Sequence, residues 1–220
     1  MSRSSPHAVL WPLLPENTHA YVRELLAAHP VDVRLSRPRR TKLGDHRAPT
    51  ALRRRHRVSV NDDLNPYAFL TTLLHEIAHA ATWDLHRTRV RRIRPHGREW
   101  KAEFERILTP VVAGRMLPED VGTALESSMR NPAAATCSDR DLMLALSRYD
   151  AVESGLVFVE SLPAGTIFRT DGGRTFRMGP RLRSRYRCIE HATGREYRLH
   201  PLCRVEPVAD ASDRPHVASQ

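Results

Sequence analysis

The stretch that decides the fold of the N-terminal half is 67-YAFLTTLLHEIAHAATW-83. Its apolar residues would cover most of the circumference of a helix, so the pattern predicts a buried helix over these residues. On this helix His75 and His79 are one turn apart on the same face, and both imidazoles can reach one metal ion. Glu76 lies beside them, where its carboxylate can reach a water molecule without binding the metal.

Two histidines and a glutamate inside an apolar helix are costly to bury unless something satisfies their polar atoms. A metal ion satisfies all three together, and it lowers the pKa of a bound water to about 7. The carboxylate of Glu76 could then take the proton of that water during attack on a carbonyl group. The competing interpretation is a pair of core histidines that form hydrogen bonds with the backbone or with each other.

A catalytic zinc site usually has three protein ligands and one water, so a third ligand is needed. The metzincin pattern requires glycine at position 82 and histidine at position 85, but this chain has Thr82 and Leu85, which excludes that class. We favour His96, in 95-PHGREW-100, because it directly precedes a predicted helix and Gly97 would let the backbone approach the metal. The remaining candidates are His86, Glu99 and Glu103.

The elements around this helix predict an α+β domain followed by a small all-β module. In the first part the pattern predicts helices over 16–29, 98–108, 118–129 and 138–149, and strands over 31–36 and 56–60, with a loop or hairpin in the Arg-rich stretch 37–57. Thr109-Pro110 is expected to end the helix that begins near residue 98. Beyond residue 155, short alternating runs separated by turns predict the β module. The predicted domains are 10–150 and 151–208, with a disordered polar tail over 209–220.

The order of these elements, together with LLHEIAHA, HGREW and 36-SRPRRTKLGDHRAP-49, resembles the SprT-like family, which includes the Spartan proteases. The resemblance covers about residues 15–110. It implies a minimal gluzincin-type (zincin) metallopeptidase fold with few strands packed on helices. It further implies one zinc ion per chain bound by His75, His79 and His96, with Glu76 as the catalytic base. Spartan-type members cleave proteins crosslinked to DNA, so the resemblance implies a protein substrate associated with DNA.

Many family members carry a C-terminal zinc ribbon with two CxxC pairs, and this chain departs from that pattern. Its three cysteines, Cys137, Cys188 and Cys203, are far apart and include no CxxC pair, so we expect reduced thiols. The chain contains no run of about 20 apolar residues that would span a membrane. No signal peptide is recognised either, and the expected location is cytoplasmic.

The chain has a net charge of +10, and Lys42 and Lys101 are its only lysines. Such an excess of arginine attracts polyanions through an electrostatic effect that is independent of sequence. One candidate nucleic-acid contact is the basic stretch 87–95, which joins two segments that carry metal ligands. Its candidate residues are Arg89, Arg91, Arg92 and Arg94.

A second candidate contact lies in the β module, where arginines alternate with other residues from 181 to 188. On one strand they would share a face, with Tyr186 or Tyr197 as a stacking surface. The candidates there are Arg183, Arg185 and Arg187, beside Arg181. The competing interpretation is a solvated sheet face, because small sheets commonly carry charge on their outer faces.

The sequence thus supports zinc-dependent hydrolysis of peptide bonds as the leading hypothesis. The alternative is a basic nucleic-acid-associated protein whose metal site is not used for proteolysis. A metallohydrolase that acts on a non-peptide amide or ester is the third possibility.

Overall fold

The chain divides into two compact units, Met1–Ala151 and Val152–Gln220. The computed structural model describes residues 7–39, 42–87, 93–130, 139–150 and 155–208. The first unit combines helices with a small sheet and the second is built from strands, so the chain is an α+β protein. Within these ranges, no helix is both long enough and apolar enough to cross a lipid bilayer.

The first unit contains five α-helices and three strands among its described residues. A parallel pair, β1 and β3, forms one side of the sheet, and β2 joins β3 in antiparallel fashion as an edge strand. The predicted strands over 31–36 and 56–60 are confirmed, whereas β2 lies in the stretch predicted as loop or hairpin. The elements are α1 (His19–Ala28), β1 (Val31–Ser36), β2 (Gly44–Arg47), β3 (His56–Asn61), α2 (Pro66–His86), α3 (Arg98–Ala113), α4 (Glu119–Arg130) and α5 (Arg140–Ser147).

The central helix α2 begins where its sequence provides an N-cap. The side-chain oxygen of Asn65 accepts hydrogen bonds from the backbone N–H groups of Tyr67 (3.1 Å) and Ala68 (3.0 Å), and Pro66 occupies the first turn. Most of the helix from Ala68 to Thr82 is buried, as the apolar pattern predicts. The helix packs on α3 and on strands β2 and β3, so its histidines lie between α3 and the sheet.

The prediction that α3 ends at Pro110 is wrong, because the helix continues to Ala113. Proline lacks an N–H donor and is normally unfavourable inside a helix. Here Val111, in the extra turn, is fully buried like Ile107, and this burial offsets the lost hydrogen bond. The helix ends at Gly114, whose N–H donates to the carbonyl of Pro110 over 3.0 Å.

The second unit is a six-stranded antiparallel sheet with the order β4-β9-β5-β6-β7-β8. Its strands are β4 (Val157–Phe158), β5 (Ile167–Thr170), β6 (Thr175–Arg181), β7 (Tyr186–Glu190), β8 (Glu196–Leu199) and β9 (Arg204–Pro207). Its core contains Phe168, Phe176 and the buried Cys188. Neither Cys188 nor Cys203 is in a disulfide, and Cys137 lies outside the described residues.

Candidate metal centre

Three histidine side chains converge in the first unit. His75 and His79 project from successive turns of α2, and His96 lies in the turn before α3. The Nε2 atom of His96 is 3.0 Å from Nε2 of His75 and 3.1 Å from Nε2 of His79. Nitrogens bound tetrahedrally to one zinc ion at its usual bond lengths are separated by about 3.3 Å, so this donor set fits one such ion.

Of the candidate third ligands, His96 is the one that lies next to His75 and His79. Among the described residues, ligand atoms of His75, His79 and His96 all lie within 4.8 Å of one another, so these three could hold one metal ion. Glu103 instead accepts a hydrogen bond from Arg106 over 2.9 Å. Glu99 and His86 also lie outside this group.

The backbone at His96 is in the left-handed region, with φ of 57°. This conformation is uncommon for a residue with a side chain and is found preferentially at functional sites. The N–H of Gly97 donates to the carbonyl of Arg94, and a Cβ added at Gly97 would lie 2.9 Å from that oxygen. Gly97 therefore permits a tight turn of the chain against the backbone of Arg94, and its expected closeness to the metal stays a prediction.

The histidine rings are held as neutral imidazoles. Burial, with a smaller contribution from the neighbouring imidazoles, lowers the pKa of His75 to about 2 and that of His79 to about 3. Burial and the positive charge of Lys101 also lower the pKa of His96. Neutral imidazole is the form that binds a metal, so a metal entering this site at pH 7 has no proton to displace.

Trp100 forms an apolar wall against the three histidines. Its ring centroid is 4.6 Å from that of His75, 5.2 Å from that of His79 and 4.7 Å from that of His96. Phe104 in turn stacks on Trp100, with ring centroids 4.7 Å apart. Packing of this kind fixes the ring orientations of the candidate ligands and keeps bulk water away from that side of the site.

Glu76 lies beside the histidines and is itself buried, with 6% of its surface exposed. Burial raises the pKa of its carboxyl group to about 8, and the negative charge of Asp45 contributes in the same direction. The cations Arg39 and Lys42 oppose this effect. A carboxyl group with a pKa near neutrality can both accept and release a proton at physiological pH.

A comparison with known families matches the part of the chain that contains this site. Residues 13–121 match the family model described as the SprT-like family. This part of the chain belongs to the SprT-like family. The match includes α2, the turn at His96 and α3, and it ends within α4. No curated protein and no solved structure matches the chain.

Strand β2 of the SprT-like domain packs directly on the glutamate, a contact that the sequence did not reveal. A Cβ added at Gly44 would lie 2.7 Å from Cγ of Glu76, closer still to its Oε1 atom, and 2.8 Å from Cγ2 of Thr72. These distances are shorter than real carbon contacts allow. The absence of a side chain at residue 44 therefore defines the position of the Glu76 carboxylate.

We expect Gly44→Ala to lower the rate of any reaction that uses Glu76 by about 10²-fold, because a displacement of about 1 Å costs that much in catalysis. Zinc affinity should change little, since the close contacts of the new methyl group involve no histidine. The measurement is kcat together with zinc content. Gly122→Ala on α4 is the control, because a Cβ there meets nothing within 4 Å. Equal effects of the two changes on kcat would contradict this role for Gly44.

The next inward-facing residue of β2, His46, was also missed by sequence reasoning. Its ring stacks on His79 with centroids 5.9 Å apart, and its Nε2 is 2.8 Å from Nδ1 of His56. Nε2 of His56 is 3.0 Å from Oδ1 of Asp84, and Oδ2 of Asp84 is 3.1 Å from Nδ1 of His29. This polar chain fixes the ring that packs on a candidate metal ligand, as partners outside the ligand set commonly do.

The structure describes only one of the four arginines in the stretch 87–95 that are predicted to contact a nucleic acid. Arg94 is exposed in the turn before His96, whereas Arg89, Arg91 and Arg92 lie outside the described residues. Contact of Arg94 with a nucleic acid therefore stays a prediction.

The arginines of the second unit do not share one strand face, and that prediction is wrong. Strand β6 ends at Arg181 and β7 begins at Tyr186, so Arg183 and Arg185 lie in the connecting turn. A bulge between Met178 and Arg181 shifts the register, and the N–H of Leu182 donates to the carbonyl of Arg185. Alternation along the sequence could not reveal this turn.

The remaining residues of this candidate contact also have other partners. Arg187 lies on β7 and forms an ion pair with Glu196 over 2.9 Å. Tyr186 and Tyr197 are partly buried against the core of the second unit, and a stacking role for either stays a prediction.

Proposed function

We propose that the SprT-like domain catalyses zinc-dependent hydrolysis of peptide bonds in protein substrates. The observation that carries the proposal is the convergence of three neutral histidines, with Nε2 of His96 3.0 Å from that of His75 and 3.1 Å from that of His79, next to the buried carboxyl group of Glu76. In this proposal His75, His79 and His96 bind one zinc ion per chain. The fold proposed with it is the minimal gluzincin-type metallopeptidase that the family resemblance implies.

When bound, zinc supplies Lewis-acid chemistry, which polarises a carbonyl group and acidifies a water molecule. Glu76 takes the proton from the attacking water and gives it to the nitrogen of the leaving amine. Its raised pKa suits both transfers. Trp100 and Phe104 hold the histidine rings, and Gly44 leaves the space in which the carboxylate of Glu76 lies.

An open cavity of about 450 Å³ lies beside the candidate site and is compatible with a peptide substrate. Its volume is within the range of ligand sites, and its openness to solvent suits an extended chain. The cavity is lined by His96, Gly97, Arg98, Lys101, Ala102 and Glu105. Of the candidate site residues this lining includes only His96, because Arg98, Lys101, Ala102 and Glu105 lie on the face of α3 opposite to Trp100 and Phe104.

We expect protein purified without a metal-binding tag to contain about one zinc ion per chain and to cleave an unfolded substrate such as casein. Dialysis against a chelator should abolish cleavage, and one equivalent of zinc should restore it, because Glu76 needs the acidified water. Elemental analysis and gel-based cleavage are the measurements. Cleavage that survives complete removal of the metal would contradict the proposal. A zinc-loaded chain that hydrolyses small amides or esters but no protein would support a non-peptide metallohydrolase.

A second candidate function is nucleic-acid association with a metal site that is not used for proteolysis. The register of the second sheet places Arg169, Arg177, Arg187 and Arg198 on its exposed face, in a diagonal row across β5 to β8. Arg187 lies directly opposite Arg198, and within this row Arg187 pairs with Glu196 and Arg169 with Glu206. Tight, salt-sensitive binding of DNA without cleavage of any protein would favour this function.

A further inference from the structure

The polar chain of Asp84, His56 and His46 leads from the far end of α2 back to the candidate metal centre. Oδ1 of Asp84 is 3.0 Å from Nε2 of His56, and Nδ1 of His56 is 2.8 Å from Nε2 of His46. The ring of His46 stacks on that of His79, with an angle of 11° between the two planes. The polar chain therefore begins on the helix that carries two candidate ligands, crosses β3 and β2, and returns to one of those ligands.

The carboxylate at the start of this polar chain determines where its hydrogens lie. Burial alone would raise the pKa of Asp84, but hydrogen bonds from His56 and His29 hold it below its ordinary value, so the group is ionised. An ionised carboxylate can only accept hydrogen bonds, so Nε2 of His56 carries a hydrogen. The other nitrogen of a neutral imidazole is an acceptor, and Nδ1 of His56 therefore receives a hydrogen bond from Nε2 of His46.

His46 is thereby held in the tautomer whose acceptor is Nδ1. Its one hydrogen lies on Nε2, so the lone pair lies on Nδ1. A second hydrogen would place a positive charge on a half-buried ring, and burial disfavours that form. Among the residues that the structure describes, none donates a hydrogen bond to Nδ1 of His46. The site thus holds a prepared acceptor for which the described part of the chain provides no donor.

The register of the sheet indicates where this acceptor points. His46 lies opposite Val58, on the face that also carries His56, and its Nε2 is directed toward β3. The two nitrogens of an imidazole point in nearly opposite directions, so Nδ1 is directed away from β3. On that side β2 is an edge of the described sheet. Gly44, two residues earlier on the same face, lies against Glu76, so the acceptor faces the open edge beside the proposed base.

We propose that Nδ1 of His46 accepts a hydrogen bond from a main-chain N–H group of the peptide substrate, and that Asp84 and His56 hold the ring in the required tautomer. This inference rests on the proposed peptidase function. His46 is then a substrate-binding residue, whereas Asp84 and His56 are positioning residues that act through it. Every residue of a peptide except proline carries a main-chain N–H, so the contact tolerates any side chain and excludes proline at the contacted position.

The tautomer is measured without any substrate, from the ¹⁵N chemical shifts of the histidine rings in the full, zinc-loaded chain at neutral pH. We expect Nδ1 of His46 to have the shift of an unprotonated nitrogen and Nε2 that of a protonated one, with the same assignment for His56. The signals lost in His46→Asn identify this ring among the 12 histidines. A hydrogen on Nδ1 of His46 would overturn the proposal, because that atom could then accept nothing.

Two amide variants separate contact with the substrate from packing. The side-chain oxygen of asparagine is as many bonds from Cα as Nδ1 of histidine, whereas that of glutamine is as many bonds from Cα as Nε2. We expect His46→Gln, which keeps only the contact with His56, to raise KM about two- to tenfold with kcat unchanged, as loss of one neutral hydrogen bond predicts. His46→Asn keeps the acceptor and should retain the KM of the wild type. The reverse order would make the role of His46 purely structural and overturn the proposal.

The donor on the substrate is located with peptides in which one main-chain N–H at a time is replaced by an ester oxygen. The parent peptide comes from a casein site that the wild type cleaves, and anisotropy measures its binding to zinc-loaded Glu76→Gln. One ester should weaken binding about two- to tenfold, and this penalty should be absent in Glu76→Gln/His46→Gln. Proline at the same position should weaken binding at least as much. Equal penalties in the two chains at every position would contradict the contact.

Failure of the two proposals can be told apart. Zinc content confirms that the metal centre of each variant is intact, since His46 packs on the candidate ligand His79. A zinc-loaded wild type that cleaves no protein contradicts the peptidase function, and the inferred substrate contact falls with it. Cleavage of casein by the wild type, with His46→Gln showing the same KM, contradicts the role of His46 alone.

Discussion

Replacing Glu76 with glutamine is expected to lower kcat for peptide cleavage by about 10²–10⁴-fold while one zinc ion per chain remains bound. Glutamine has nearly the same shape as glutamate, so it fits against Gly44 and Thr72, but its amide cannot take a proton from water. Glu76 is not among the three histidines that would bind the metal, so zinc content should not change. Steady-state cleavage and elemental analysis on the same sample measure both quantities.

The pH dependence of cleavage provides a second measure of the same residue. Glu76 acts as a base only when it is deprotonated, so kcat/KM should rise with pH through the pKa of this group. Burial places that pKa at about 8 in the metal-free chain, and a nearby cation lowers it, so the rise should lie below pH 8. In Glu76→Gln this rise should be absent.

A matched control separates the loss of the base from the general effect of removing a charge. Glu126→Gln makes the same chemical change on α4, where the side chain of Glu126 is half-buried and paired with Arg130. This variant should retain the activity of the wild type. A zinc-loaded Glu76→Gln that cleaves casein at the rate of this control would rule out Glu76 as the catalytic base.

The helix and its histidines could be predicted from sequence because their information is local. An apolar run of this length predicts one buried helix, and the spacing of His75 and His79 fixes their common face. His96 could be proposed, but its selection over Glu99, Glu103 and His86 depended on how α3 packs against α2. That packing is a tertiary property, and the positive φ of His96 has no signal in the sequence.

Strand β2 could not be predicted for a related physical reason. It has only four residues, GDHR, and none of them is a typical strand former. Its conformation comes from pairing with β3, and its contacts with Glu76 and His79 come from the packing of the sheet on α2. The prediction for the arginines of the second unit was wrong for the same reason, because a bulge decides which residues share a face.

Replacing His96 with alanine is expected to weaken zinc binding by more than about 100-fold, because loss of even an outer-shell partner of a metal costs 10- to 100-fold. His75 and His79 would remain as two ligands on one helix, which is too few for a catalytic zinc site. Competition with a chromogenic chelator measures the affinity. The stabilising effect of zinc should fall as well, since free zinc at 100 times the wild-type Kd adds about 2.7 kcal/mol to the free energy of unfolding.

His86→Ala is the matched control for this experiment, since it removes the same side chain from the end of α2, outside the group of converging histidines. It should bind zinc like the wild type and show the same upward shift of Tm on addition of zinc. If His86→Ala lost zinc while His96→Ala kept it, the third ligand would have to come from the end of α2. The left-handed backbone at His96 would then have no role in metal binding. The expected pattern instead ties the metal, the left-handed turn and the cavity lined by His96 to one site.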